Sequence, residues 1–225
     1  MTQHNIDGNS IRGIGFDATC SLAVFTSDTD EPVAVTGPSF DNKDGNDRNV
    51  VLWLDHRPVE ETQKINATNH NLLRYVGGTM SIEMEIPKVL WLKNNMPKEL
   101  FDRCKFYDLT DALTHMATGN DSRSFCTVVC KQGYVPVGVD GSVKGWQEDF
   151  LKEIGLEDLC EDNFKRLGGV DGVVKFPLPS ENGPLANLCL EWAVSDCRRA
   201  GRKVKRKGRS RHGPTAWNCC RHRCH

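Results

Sequence analysis

Gly13-Ile-Gly-Phe-Asp-Ala-Thr-Cys-Ser21, followed at once by Leu22-Ala-Val-Phe25, decides how the rest of the chain is read. Ile11–Phe16 and Leu22–Phe25 are short apolar runs. The polar corner Asp17-Ala-Thr-Cys-Ser21 between them reads as the turn of a β-turn-β unit. Val50–Leu54 is the next expected strand, and it also ends on polar groups, Asp55-His-Arg57. Between the two, Gly37–Asn49 is rich in Asp, Asn and Gly and reads as a loop. Pro58 favours extended geometry just before it and can open a helix. That helix runs to about Ala67, with Glu60 and Glu61 in its first turn, where the macrodipole favours acids.

Further on, the punctuation is mostly helical. Asn71–Val76 reads as a short helix ending at Gly77-Gly78, and Pro87–Asn95 as a helix with Pro87 near its start. Pro97-Lys-Glu-Leu100 begins another. Lys105–Leu109 is a strand or a helix entry, and Asp108–Met116 is a helix stopped by Gly119. Ser124–Val129 alternates weakly and is expected to be a strand. Trp146–Ile154 is helical, with Gly155 to end it. Val173–Phe176 closes the pattern, and no internal repeat is present.

The 225 residues suffice for one full domain or a large piece of a multidomain protein. With 38% hydrophobic and 26% charged residues, disorder along the whole length is excluded. The longest apolar stretches, near Val50–Leu54 and Val89–Leu92, are too short to cross a bilayer. No basic start followed by an apolar run opens the sequence, so no signal peptide is read.

The net charge of −1 conceals an asymmetry. Residues 181–225 hold 11 Lys and Arg against 3 Asp and Glu, while residues 1–180 hold 18 against 27. Five of the ten cysteines also lie in that last segment. The division is therefore an acidic body, 1–180, and a basic Cys-rich tail, 181–225, expected to be disordered. The body cysteines read as reduced thiols, mostly buried. Cys126 and Cys130 lack a nearby His and are not read as metal ligands.

Three segments put polar side chains at the ends of apolar elements: Gly15–Ser21, Trp53–Arg57, and Ser81-Ile-Glu83 leading into Pro87–Asn94. Asp, Thr, Arg, Glu and Lys together can bracket a sugar or polyol by hydrogen bonds. Taken singly, each is as well explained as a turn former, an ion pair at a strand end or a helix cap. The ordered series is more specific. Gly13–Ser21, Asn49-Val-Val-Leu-Trp-Leu-Asp-His-Arg57, Tyr75-Val-Gly-Gly78, Pro87–Asn94, Tyr107-Asp-Leu-Thr-Asp111 and Cys130-Lys131 together resemble the N-terminal domain of the FGGY carbohydrate kinases. The resemblance is to the ribulose-kinase-like branch and covers about residues 11–170.

The resemblance implies an α/β fold, an actin-like or RNase-H-like domain with a mixed sheet flanked by helices. It implies a phosphotransferase that uses ATP and Mg²⁺, a pentulose or polyol as small-molecule substrate, and a cytoplasmic location. It places Ala18, Thr19, Cys20, Ser21 and Glu83 on the sugar side. Asp55 and Arg57 would frame the cleft, and Lys131 would meet the sugar or a transferring oxygen. Gln132 stands where relatives more often carry tryptophan. No residue is assigned a catalytic or metal-binding role. The family's Asp-x-Gly phosphate hairpin and its catalytic Asp segment have no counterpart here. The chain is therefore expected to be a fragment, truncated at both ends, inactive by itself and a poor binder of ATP.

The tail has its own expectation. Synonymous codons for Trp217–His222 spell Gly-Thr-Ala-Val-Gly when read one base forward, a run that relatives carry before the catalytic Asp. The tail thus reads as an out-of-frame continuation. The competing functional classes are a non-enzymatic pseudo-kinase or partner-binding module, which would self-associate through an exposed domain face, and a basic-tail nucleic-acid binder. The latter is disfavoured, as is zinc binding by Cys219, Cys220, Cys224 and the tail histidines, which lack paired Cys-x2-Cys spacing.

Overall fold

The computed structural model describes residues 14–41, 48–136 and 144–174. The tail and its suggested metal ligands lie outside the described residues, as do Ile11–Gly13 of the first expected strand.

The centre is a three-stranded antiparallel sheet in the order β2-β1-β3, formed by β1 (Leu22–Thr26), β2 (Val50–Val51) and β3 (Cys104–Asp108). Leu22 stands opposite both Val51 and Asp108, which fixes the register. Every residue of β1 and β3 is buried. The period of two sends Leu22, Val24, Cys104 and Phe106 to one face and Ala23, Phe25 and Tyr107 to the other.

The first face is covered by the main core. It includes Ile65 from α1 (Val59–Ala67) and Ile86, Val89, Leu90 and Leu92 from α2 (Glu85–Asn95). Burying one such side chain contributes about 1.5–3 kcal/mol. After α3 (Lys98–Phe101), the chain enters β3 and then α4 (Leu109–Thr118), whose Ala112 packs on the second face. Asp108 caps α4 by accepting from the Thr110 backbone at 3.1 Å. Gly119 ends the helix at φ 70°, a conformation that disfavours any side chain. A further pair, β4 (Arg123–Ser124) and β5 (Val173–Val174), is parallel. Between these two lie α5 (Phe125–Lys131) and α6 (Glu148–Ile154). Helices flank strands throughout, and both antiparallel and parallel pairing occur.

Several expectations are corrected. Ser124–Val129 is not a strand, because only Ser124 pairs before α5 begins. Asp111 on α4 determines this: its carboxylate accepts from the Ser124 backbone at 3.0 Å and from the Thr127 hydroxyl at 2.5 Å. Val50–Leu54 is a strand only at its first two residues. The Asp55 amide bonds back to the Leu52 carbonyl at 3.0 Å, and Leu52, Trp53 and Leu54 are exposed. Ile14–Phe16 is in neither strand nor helix. Of the five body cysteines only Cys104 is buried, while Cys126 is exposed and the rest are half-buried. No helix among the described residues is long and apolar enough to cross a membrane.

Candidate functional site

Where β1 begins and β3 ends, polar side chains gather at one end of the sheet. The turn before β1 brings a half-buried Ala18, an exposed Thr19, a half-buried Cys20 and a buried Ser21 to this end. Thr19 and Ser21 hydroxyls lie 3.2 Å apart. The Ser21 carbonyl accepts from the Leu109 amide at 2.8 Å, which ties the turn to the start of α4. Cys20 Sγ points to the Glu83 carbonyl at 3.4 Å.

Lys131, the last residue of α5, reaches into the same region. Its Nζ donates to Asp108 Oδ1 at 2.6 Å, and its side chain is 19% exposed. Asp108 is fully buried, and its second oxygen accepts from the Thr110 amide and, at 2.7 Å, from the Thr110 hydroxyl. Burial works against the Lys131 charge, but the Asp108 carboxylate beside it holds its pKa above the usual lysine value. Burial pushes the Cys20 thiol up to about 12, so it is no nucleophile at neutral pH.

The second group of expected residues is linked to the first through Lys88. Arg57 Nε donates to both oxygens of Asp55, at 3.0 and 2.9 Å, and Arg57 Nη1 donates to the Val35 carbonyl at 3.1 Å. The guanidinium also lies 4.1 Å from the centre of the Trp91 ring. Burial would raise the Asp55 carboxyl, but the Arg57 hydrogen bonds outweigh it and hold the pKa below its usual value. This pair is an internal ion pair that shapes the 52–57 turn. Lys88 Nζ donates to the carbonyls of Asp55 at 3.1 Å, Ile82 at 2.9 Å and Trp53 at 3.4 Å. One buried ammonium thus fastens the Trp53–Asp55 turn to the loop that carries Glu83. Glu83 itself is exposed and does not cap α2, whose N-cap is Met84 with no side-chain bond.

Sequence reasoning missed Glu85 and left Asp108 without a role. Glu85 is fully buried, and its Oε2 accepts from Gln132 Nε2 at 2.6 Å. Burial raises its pKa well above the usual glutamate value, and the neighbouring Asp108 charge adds to the effect. The signal was present at Gln132, the position that departs from the resembled pattern. A polar side chain there needs a buried partner, and Glu85 supplies it.

No protein-family model matches the chain. Among curated proteins, a D-ribulokinase of Saccharomyces cerevisiae is 54% identical over 169 residues, covering 75% of this chain and 23% of that one. FGGY carbohydrate kinase domain-containing proteins of Xenopus laevis and Homo sapiens are 48% and 47% identical, each over 72% of this chain and 28% of their own length. The chain belongs to the FGGY carbohydrate kinase family. It spans about a quarter of the length of the curated relatives it matches. A crystal structure of a xylulose kinase from Brucella ovis aligns with TM-score 0.47 at 19% identity, over 65% of this chain and 27% of that one.

FGGY kinases as a family imply ATP and a divalent metal. Among the described residues no group of three or more His, Cys, Asp or Glu has the geometry to hold a metal ion. Asp55 is paired with Arg57 and Asp108 with Lys131, while Glu85 is enclosed. These carboxyls do not fit a metal–nucleotide centre.

Proposed function

We propose that this chain supplies the sugar-facing wall of an ATP-dependent carbohydrate kinase acting on a pentulose of the D-ribulose kind. The observation that carries the reading is Lys131, a partly exposed ammonium held by buried Asp108 beside the Thr19–Ser21 turn. A fixed cation close to Cys20, whose neighbour Thr19 exposes a hydroxyl, suits a polyhydroxylated ligand. The name of the yeast relative supports the choice of sugar.

In this reading Lys131 donates to a sugar oxygen, while the exposed Thr19 hydroxyl, set by the buried Ser21 hydroxyl at 3.2 Å, orients a neighbouring one. Asp55 and Arg57 keep the shape of the turn that frames the site and transfer no proton. The 225-residue chain by itself binds sugar weakly and transfers no phosphate. ATP and Mg²⁺ belong to the longer relatives' chemistry, and the cytoplasm, where ATP and reduced thiols coexist, is the proposed compartment.

Titration calorimetry with D-ribulose tests the reading. Millimolar binding by the wild-type chain that Lys131→Ala weakens about tenfold is the expected result. No heat from the wild type would remove the sugar-facing assignment. Self-association through the exposed Leu52, Trp53 and Leu54 side belongs to the alternative, partner-binding reading. A clean monomer in size-exclusion chromatography argues against it.

A further inference from the structure

Glu85 poses an accounting problem that the rest of the site does not solve. It is fully buried at the first residue of α2, and among the described residues only one donor, the Gln132 amide, reaches it. Its Oε1 has no hydrogen-bond partner. A buried ionised carboxylate with a single neutral donor would be costly. Of the two nearby ammonium groups, Lys88 bonds three carbonyls and Lys131 bonds Asp108; the Lys131 charge works to lower the Glu85 pKa, but burial and the Asp108 charge outweigh it. Cys20, also close to it, is a thiol and supplies no positive charge.

Asp108 has the complementary problem. A carboxylate offers about four acceptor positions. Lys131, the Thr110 amide and the Thr110 hydroxyl take three of them. Glu85 lies within hydrogen-bonding reach of this same carboxylate. A carboxylate with an acceptor position to spare thus stands beside a carboxyl oxygen without a partner, and Gln132 Oε1 is the other unpartnered acceptor of this group.

We propose that Glu85 is a positioning residue that, as the neutral acid, donates its Oε1 proton to Asp108 and so fixes the carboxylate on which Lys131 is held. No covalent step is involved. The proton stays on Glu85, and Asp108 keeps the negative charge that pairs with Lys131. Glu85 is too enclosed to touch a ligand, and its effect passes through Asp108. The role of Lys131 toward sugar rests on the function proposed above, but the Glu85–Asp108–Lys131 arrangement does not.

Infrared spectroscopy and carbon-13 NMR of the 225-residue chain with labelled lysine test this. A pH of about 8 is used, above the value of about 6 to which burial pushes neighbouring Asp111. The wild type should show a protonated-carboxyl band that Glu85→Gln removes and that Asp108→Asn shifts. The Lys131 Cε resonance should stay near its wild-type position in Glu85→Gln, whose amide can still donate, and move toward that of a solvated lysine in Glu85→Leu. Absence of the band from the wild type overturns the proposal, as does its persistence in Glu85→Gln. An unmoved Lys131 resonance in folded Glu85→Leu also overturns it. D-ribulose titration separates this from the functional reading. Affinity within about twofold of wild type for Glu85→Gln and about tenfold weaker for Glu85→Leu supports both. No heat from any protein, with the spectra as expected, removes only the sugar and leaves the positioning role supported.

Discussion

Asp111 shows how one side chain can choose between a strand and a helix. Nothing in Ser124–Val129 forbids extended backbone, and β-branched Thr127, Val128 and Val129 favour it. The choice is made from outside the segment by a carboxyl on α4 that binds the Ser124 amide and the Thr127 hydroxyl. Burial pushes the Asp111 pKa up to about 6 from 3.8, against the lowering effect of the Thr127 bond. A carboxyl with a raised folded-state pKa contributes stability that is complete below the unfolded value. That contribution is lost as pH rises through the folded value. Between about pH 5 and about pH 8 the wild type should therefore lose roughly 1–2 kcal/mol through Asp111. Asp111→Asn should remove most of that slope, because an amide can still accept from Ser124 and donate to Thr127. Urea unfolding at the two pH values checks this, and equal slopes in both proteins would refute it. Glu85, also raised, adds a loss of the same sign, so the variant is not expected to be flat.

At the scale of elements, Lys88 is the connection between α2 and the loops around the site. The residue is 1% exposed, and its ammonium donates to the backbone carbonyls of Trp53, Asp55 and Ile82. Burial lowers its pKa, and nearby Asp55 is the leading opposing charge. Lys88→Met keeps the helix stem but leaves those carbonyls without their donor, at a cost of about 1–3 kcal/mol. Faster chymotryptic cleavage at Trp53 and Leu54, with α-helical circular dichroism retained, is the expected outcome. Unchanged cleavage would show that the turn is held by Asp55–Arg57 alone. This scale also shows what was legible in the sequence. Proline and glycine gave the helix limits well, since Pro58 precedes α1 and Gly119 and Gly155 adopt positive φ at the ends of α4 and α6. Thr19, Cys20 and Ser21 lie together in the turn before β1, with the Glu83 carbonyl and the Lys131 charge close to Cys20. Glu85 was not legible, because a glutamate at the first residue of a helix satisfies the macrodipole and gives no sign of being enclosed. Its burial depends on Gln132, 47 positions away.

Over the whole molecule, the site occupies one end of the central sheet, where Leu22 pairs with Asp108. Its charges are already matched, with Asp108 on Lys131, Asp55 on Arg57, and Glu85 enclosed with Gln132. Phosphoryl transfer requires more than a sugar wall. It needs the γ-phosphate held in line with the attacking hydroxyl, neutralised charge and a group to take the proton. Of the two expected site carboxylates, Asp55 is held below the usual range by Arg57, which makes it a weak proton acceptor, and Glu83 is exposed and meets the site through its backbone carbonyl. Lys131 is held protonated by Asp108 and cannot accept a proton either. Positioning of the two reactants is worth about 7–11 kcal/mol of the barrier, and this set of residues can position only one of them. The 225-residue chain mixed with ATP, Mg²⁺ and D-ribulose is therefore expected to release no ADP above background in a coupled assay. Sugar-dependent ADP release that disappears in Asp55→Ala would refute the prediction. It would require Asp55 to serve as the base despite its ion pair, and a nucleotide site to be supplied by residues other than those described.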